Sequence, residues 1–125
     1  MSIDSKATQL IQRLTRATVN DEMKWVRNQA PAYLTSGTDD LVPLYLEGVY
    51  KGKKIGLFEK RSKYFHDEFD YSWSVSVGIC IVDLFGHLIW DYYDTTTALA
   101  NLFDRAKEQS SGIDDVLNEL LDDET

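Results

Sequence analysis

Residues 69–82 read FDYSWSVSVGICIV, and this stretch decides the fold. Phe69, Tyr71, Trp73, Val75, Val77, Ile79 and Ile81 alternate with Asp70, Ser72, Ser74, Ser76, Gly78 and Cys80. Strand side chains point to opposite faces with a period of two, so the pattern predicts one long strand with an oily face turned to the core and a small, polar face turned away. A sheet buried on both faces reads instead as a continuous apolar run. The alternation therefore predicts an antiparallel sheet covered on one side.

The neighbouring segments extend the sheet. Leu44 to Tyr50 and Lys54 to Lys60 are β-like runs joined through Lys51-Gly52, a hairpin signal. Residues 61–68 read as a charged loop. After Asp83, the turn Leu84-Phe85-Gly86-His87 leads to a fourth strand, Leu88 to Tyr93, and the order is a meander. Before the sheet, Ile3, Ala7, Leu10, Ile11, Leu14 and Thr18 recur at helical spacing opposite Lys6, Gln9, Arg13 and Arg16. These predict an amphipathic helix from Ile3 to about Asn20, capped by Ser2 or Asp4. An irregular connection follows over about 21–41, in which Trp25 is expected to pack over an edge of the core. Thr95, Thr96 or Thr97 caps the next helix, with its stripe Leu99, Leu102, Phe103 and Ala106, and Ser110-Ser111-Gly112 stops it. A last helix, about 112–122, places Ile113, Val116, Leu117, Leu120 and Leu121 on one face and acidic residues on the other. The expected fold class is α+β: an N-terminal helix, a four-stranded antiparallel meander and two C-terminal helices packed mainly on one sheet face.

Composition bounds the rest. A chain of 125 residues with 43% hydrophobic residues suits one domain, 1–125, with one core. Met1 to Ala7 lacks a leader pattern and no run approaches membrane-spanning length, so a soluble cytoplasmic protein is expected. The single Cys80 cannot form an internal disulfide.

The net charge of −8 is concentrated. Residues 1–90 carry eleven basic and eleven acidic residues, whereas residues 91–125 carry two and ten, so the excess lies wholly in the last 35. Lys51, Lys53, Lys54, Lys60, Arg61 and Lys63 form an opposing basic cluster. Such a dipole favours a basic partner at one end, an anionic one at the other, or head-to-tail association of copies. The partner-binding candidates are accordingly Asp115, Glu119, Asp122 and Asp123 on the last helix and Lys51, Lys53 and Lys54 on the first hairpin. The apolar stripe of the last helix is expected to dock on its own domain, since about ten residues are too few for an isolated helix. Sheet edges and aromatic content add the expectation of a homodimer.

Several of these residues together bring a resemblance into view. The elements Tyr50-Lys-Gly-Lys-Lys-Ile55-x-Leu57, Ile79-x-Ile81-x-Asp83-x-x-Gly86-x-Leu88-x-x-Asp91, Leu99-x-x-Leu102-Phe103-x-x-Ala106 and Ile113-Asp114-x-Val116-Leu117-x-x-Leu120-Leu121 resemble a recurrent layout of small uncharacterised bacterial proteins. In that layout a helix leads to an antiparallel meander, a helix and a short acidic helix. Its motifs are turn glycines and core positions, so the resemblance implies the fold and carries no activity, cofactor or catalytic residue.

The chemistry-bearing residue types are sparse. His66, His87 and Cys80 fall short of a zinc ligand set. His66-Asp67-Glu68-x-Asp70 offers oxygens without the spacing of a calcium loop. The sequence shows no nucleophile elbow or phosphate loop, so no catalytic, cofactor or metal residue is assigned. Two function classes compete. The first is a non-enzymatic protein-interaction or regulatory module with an acidic C-terminal surface. The second is a ligand-binding protein or enzyme with a site on the Ser72, Ser74 and Ser76 face beside the His66 loop, enlarged by Tyr45, Phe58 and Tyr93 if they emerge there. A pI near 4.6 makes nucleic-acid binding by the basic hairpin, or phosphate mimicry by the acidic end, the weaker third class.

Overall fold

The computed structural model describes residues 3–93 and 97–122. Helix α1 (Ile3–Val19) leads through a two-residue strand β1 (Val26–Arg27) and a 3-10 turn (Ala32–Leu34) to β2 (Leu41–Tyr50), β3 (Lys53–Phe65), β4 (Tyr71–Val82) and β5 (Leu88–Tyr93). Helices α2 (Thr97–Ser111) and α3 (Ile113–Leu121) follow. The five strands form one antiparallel sheet in chain order. The fold is therefore α+β with an antiparallel meander. It has one more strand than the sequence pattern predicts, because Val26 and Arg27 pair with Glu47 and Leu46 inside the segment read as irregular. The Ser2 cap and the candidate caps Thr95 and Thr96 lie outside the described residues.

The β3–β4 ladder is the longest, running from Lys54 opposite Val82 to Phe65 opposite Tyr71. Because cross-strand partners share a face, Leu57 and Ile79 project to one side and Phe58 and Gly78 to the other. On the first side, Leu46, Ile55, Leu57 and Ile79 are closed over by Ile11 and Leu14 of α1 and by Leu99, Leu102, Phe103 and Ala106 of α2, forming the main core. Trp25 is buried there too. Its indole Nε1 donates to Thr18 Oγ1 at 2.9 Å, and its backbone N–H donates to Gln109 Oε1 at 2.8 Å. Gln109 Nε2 donates to the Met23 carbonyl at 2.7 Å, so one side chain ties the connection to α2 and satisfies buried backbone groups.

The opposite side is covered as well. Leu34, Tyr45, Phe58, Cys80 and Val82 form a second core under the 3-10 turn, with Ala30, Val42 and Leu88 packed against it. This corrects the expectation of a sheet covered on one side. Cross-strand glycines make the second core possible. A Cβ at Gly56 would strike the Tyr45 hydroxyl and the Cys80 Sγ, and one at Gly78 would lie 2.5 Å from the Phe58 ring. The glycines in β3 and β4 are therefore the space into which the rings of Tyr45 and Phe58 fold.

The distal half of β4 departs most from the sequence reading. Val77, Ile79 and Ile81 face the main core, but Phe69, Tyr71, Trp73 and Val75 are 88%, 45%, 45% and 57% exposed. The predicted loop 61–68 is instead strand as far as Phe65, and β3 and β4 run on together beyond their neighbours. The last pairing of β2 is Leu41 with Arg61, and the last pairing of β5 is Tyr93 with Gly78. Among the described residues no helix covers this part, and the alternating pattern persists without burial.

A Gly78→Ala variant is expected to lose about 1–3 kcal/mol by overpacking against Phe58, whereas Ser76→Ala, on the exposed arm, should stay within about 0.5 kcal/mol. Urea melts of the two variants beside the parent check this.

Candidate interaction surfaces

Beyond the sheet, β3 and β4 form a two-stranded arm. Residues 66–70 close it, with the amides of Phe69 and Asp70 donating to Asp67 Oδ1 at 2.8 and 2.9 Å. The first carboxylate of the acidic run His66-Asp67-Glu68 thus serves the turn. Among the described residues no group of three or more His, Cys, Asp or Glu side chains is placed to hold a metal ion.

The arm has two unlike faces. On the face continuous with the main core, Arg61, Lys63 and Phe65 of β3 lie opposite Val75, Trp73 and Tyr71 of β4. Lys63 Nζ sits 4.8 Å from the Tyr71 ring centre and 5.6 Å from that of Trp73, and the rings of Tyr71 and Trp73 meet edge to face at 6.1 Å. This arrangement orders the aromatic surface while leaving it wet. The other face carries Ser62, Tyr64, Ser72, Ser74 and Ser76. There His66 Nε2 and Ser72 Oγ lie 3.1 Å apart, and Ser74 Oγ donates to the Ser62 carbonyl at 3.3 Å. The serines are exposed on a projecting ladder; of the aromatics expected to enlarge this face, Tyr45 and Phe58 are buried under the 3-10 turn, whereas Tyr93, paired with Gly78, emerges on it beside Lys60. His66 lies at the arm's tip and His87 at the β4–β5 turn, where Asp83 Oδ1 accepts from its backbone N–H at 2.8 Å; these are opposite ends of β4.

The six basic residues of the sequence cluster are dispersed. Lys54 pairs with Glu47 at 3.7 Å, Arg61 with Glu59 at 3.6 Å, and Lys63 lies on the arm. Lys60 is on the opposite face, 3.4 Å from Asp40 and 3.3 Å from the Tyr93 hydroxyl. Lys51 and Lys53 stand together beside a concavity, and there they meet two residues of α1 that lie outside the sequence cluster. A shallow groove of about 340 Å³ runs between α1 and the β2–β3 turn. Its lining includes Leu10, Ile55 and Ile81, and Lys6, Arg13, Lys51 and Lys53 supply its charge. The signal that finds this grouping is three-dimensional, since α1 and the turn are some 40 positions apart in sequence.

The terminal helix α3 corrects the expectation of docking. Its principal neighbour is α2, yet Ile113, Val116, Leu117, Leu120 and Leu121 are 41–76% exposed. Gly112, at φ 65°, turns the chain between the helices and sends α3 off the end of α2. Asp115, Glu119 and Asp122 are exposed, and Asp123 lies outside the described residues.

Two carboxylates mark where charge holds loops. A hydrogen bond from Ser62, with further help from Lys60 and Thr38, keeps Asp40 below its usual range against a smaller effect of desolvation. The backbone N–H of His87, followed by that of Phe85, does the same for Asp83. Burial pushes the Cys80 thiol up to about 11, so it is a packed side chain and a poor nucleophile at neutral pH.

Comparison with family models, curated proteins and solved structures finds no match for this chain. Among the described residues no helix is long and apolar enough to cross a membrane.

A lowered carboxylate pKa contributes stability above its unfolded value that is lost as the pH falls through the folded one. Stability should therefore drop as the pH falls below about 4. The double variant Asp40→Asn, Asp83→Asn should show a shallower decline, measured by thermal melts between neutral and acid pH.

Proposed function

We propose that the protein is a non-enzymatic protein-interaction module whose principal contact surface is the β3–β4 arm. The carrying observation is the ordered but uncovered face of Phe65, Tyr71, Trp73 and Val75, flanked by Arg61 and Lys63, on strands whose outer edges carry no described neighbour beyond Arg61 and Gly78. Contiguous exposed apolar surface of this kind marks interaction sites. Aromatic residues and Arg supply most of the binding energy at protein interfaces. A free strand edge beside them suits an extended segment of a partner, which would gain main-chain hydrogen bonds from the edge and specificity from the rings. The acidic surface of Asp115, Glu119 and Asp122 is a second contact region, for a basic surface. The ligand-binding alternative draws less support. It calls for convergent polar groups in a cavity, and the serines stand on a projecting ladder.

The test is capture of partners from native lysate by the full chain. Tyr71→Ala with Trp73→Ala should abolish the captured set while the melting temperature changes little, because both rings are about half exposed. Leu84→Ala with Phe85→Ala, on the exposed β4–β5 turn, serves as the control and should leave capture intact. An unchanged set of captured proteins in the arm variant overturns the assignment.

A further inference from the structure

The molecule carries two surfaces, apart from the arm, that complement each other. Helix α3 presents an uncovered stripe of Ile113, Val116, Leu117, Leu120 and Leu121 with Asp115 and Glu119 on its remaining surface. The groove between α1 and the β2–β3 turn is apolar along Leu10, Ile55 and Ile81, with Lys6, Arg13, Lys51 and Lys53 around it and no acidic side chain in its lining among the described residues. Among the described residues none of those four cations makes an ion pair. We infer that α3 of one copy of this chain seats its apolar stripe in the basic groove of a second copy, and that the exchange is reciprocal.

Physical grounds favour this occupant. A nine-residue helix has little stability unless its apolar face is buried, so α3 needs a covering surface. The chain itself offers one of matching character, apolar in the middle and opposite in charge at the rim, which is the complementarity that selects partner and register. A lipid surface is a poor alternative, because anionic headgroups attract basic amphipathic helices and repel an acidic one. Each copy contributes one helix and one groove, so a pair related by a two-fold axis satisfies both contacts and closes. Within one chain the two surfaces lie apart. The end of α2 that launches α3 is fastened by Gln109 to Thr18 and Met23, at the C-terminal end of α1, while the groove follows Lys6 to Arg13.

Sedimentation velocity on the full chain at about 100 μM, where contacts of micromolar strength are populated, reads this directly. The parent should have twice the 14.3 kDa chain mass. Lys51→Glu with Lys53→Glu breaks the groove and keeps the helix; Leu117→Asp with Leu120→Asp breaks the helix and keeps the groove. Each variant alone should have the single-chain mass, with circular-dichroism melts near the parent's because all four positions are exposed. Mixed together they should recover a double-mass species, since the intact helix of one meets the intact groove of the other. A parent of single-chain mass overturns the inference, whether α3 then lies in its own groove or against a foreign protein. A groove variant that remains double-mass overturns it too, because the contact would then run helix to helix or arm to arm. Partner capture that depends on Trp73 while the parent is monomeric would remove this contact and leave the arm's function standing.

Discussion

The register between β3 and β4 is the constraint on which the remaining structure depends. Placing Leu57 opposite Ile79 sends both toward the helices, and the same pairing sets Phe58 against Gly78 and Gly56 against Cys80 on the other side. A slip of one residue would exchange the two faces. The glycines make such a slip costly, because the rings of Tyr45 and Phe58 occupy the room that only the absence of a Cβ leaves. Two cores thus share one ladder, and each pins the other.

That ladder also explains the arm. Pairing between β3 and β4 continues past Arg61–Val75, where β2 makes its last pairing, to Phe65–Tyr71. The inward-facing backbone groups of the extension pair with each other, its outward-facing groups form the two strand edges, and its side chains have no described layer above them. Side-chain contacts on one face stand in for burial there: across the pair, Phe65 against Tyr71 at 5.6 Å and Lys63 over the Tyr71 and Trp73 rings, and along β4, Tyr71 against Trp73. Such contacts are worth about 0.2–1 kcal/mol each, enough to order a hairpin attached to a folded sheet. An ordered aromatic surface binds with less entropic loss than a flexible one, which suits the arm to the contact role proposed for it.

Electrostatics divides along similar lines. Charges that look like one basic cluster in sequence are separated by strand alternation: Lys60 turns to Asp40 and Tyr93, Lys63 to the arm's rings, and Lys51 and Lys53 to the α1 groove. The acidic excess is left on a terminal helix with its apolar face uncovered. The arm and α3 each carry a contiguous stretch of unburied apolar side chains, and Leu84 and Phe85 are exposed as well on the β4–β5 turn.

Local chemistry determined the elements. The periods of two and 3.6 located α1, the four main strands and both C-terminal helices, and Gly52, Gly86 and Gly112 marked turns that occur where left-handed backbone is needed. Periodicity reports which face of an element is apolar. It carries no information about whether another layer lies over that face, because covering is a contact between residues distant in sequence. For that reason Val77 and Ile79 met the core while Tyr71 and Trp73, in the same alternation, stayed in water. The same limit explains α3, whose ideal stripe predicts a partner without naming it, and the second core, whose cover of Ala30 and Leu34 comes from a segment with no period at all. The basic groove was equally invisible, since Lys6 and Arg13 join Lys51 and Lys53 only when α1 packs across the sheet. Sequence by itself determined which surfaces this protein has to offer; only the tertiary structure decided which of them are spent on the fold and which remain exposed, because burial is a property of the packed layers and of no single strand or helix.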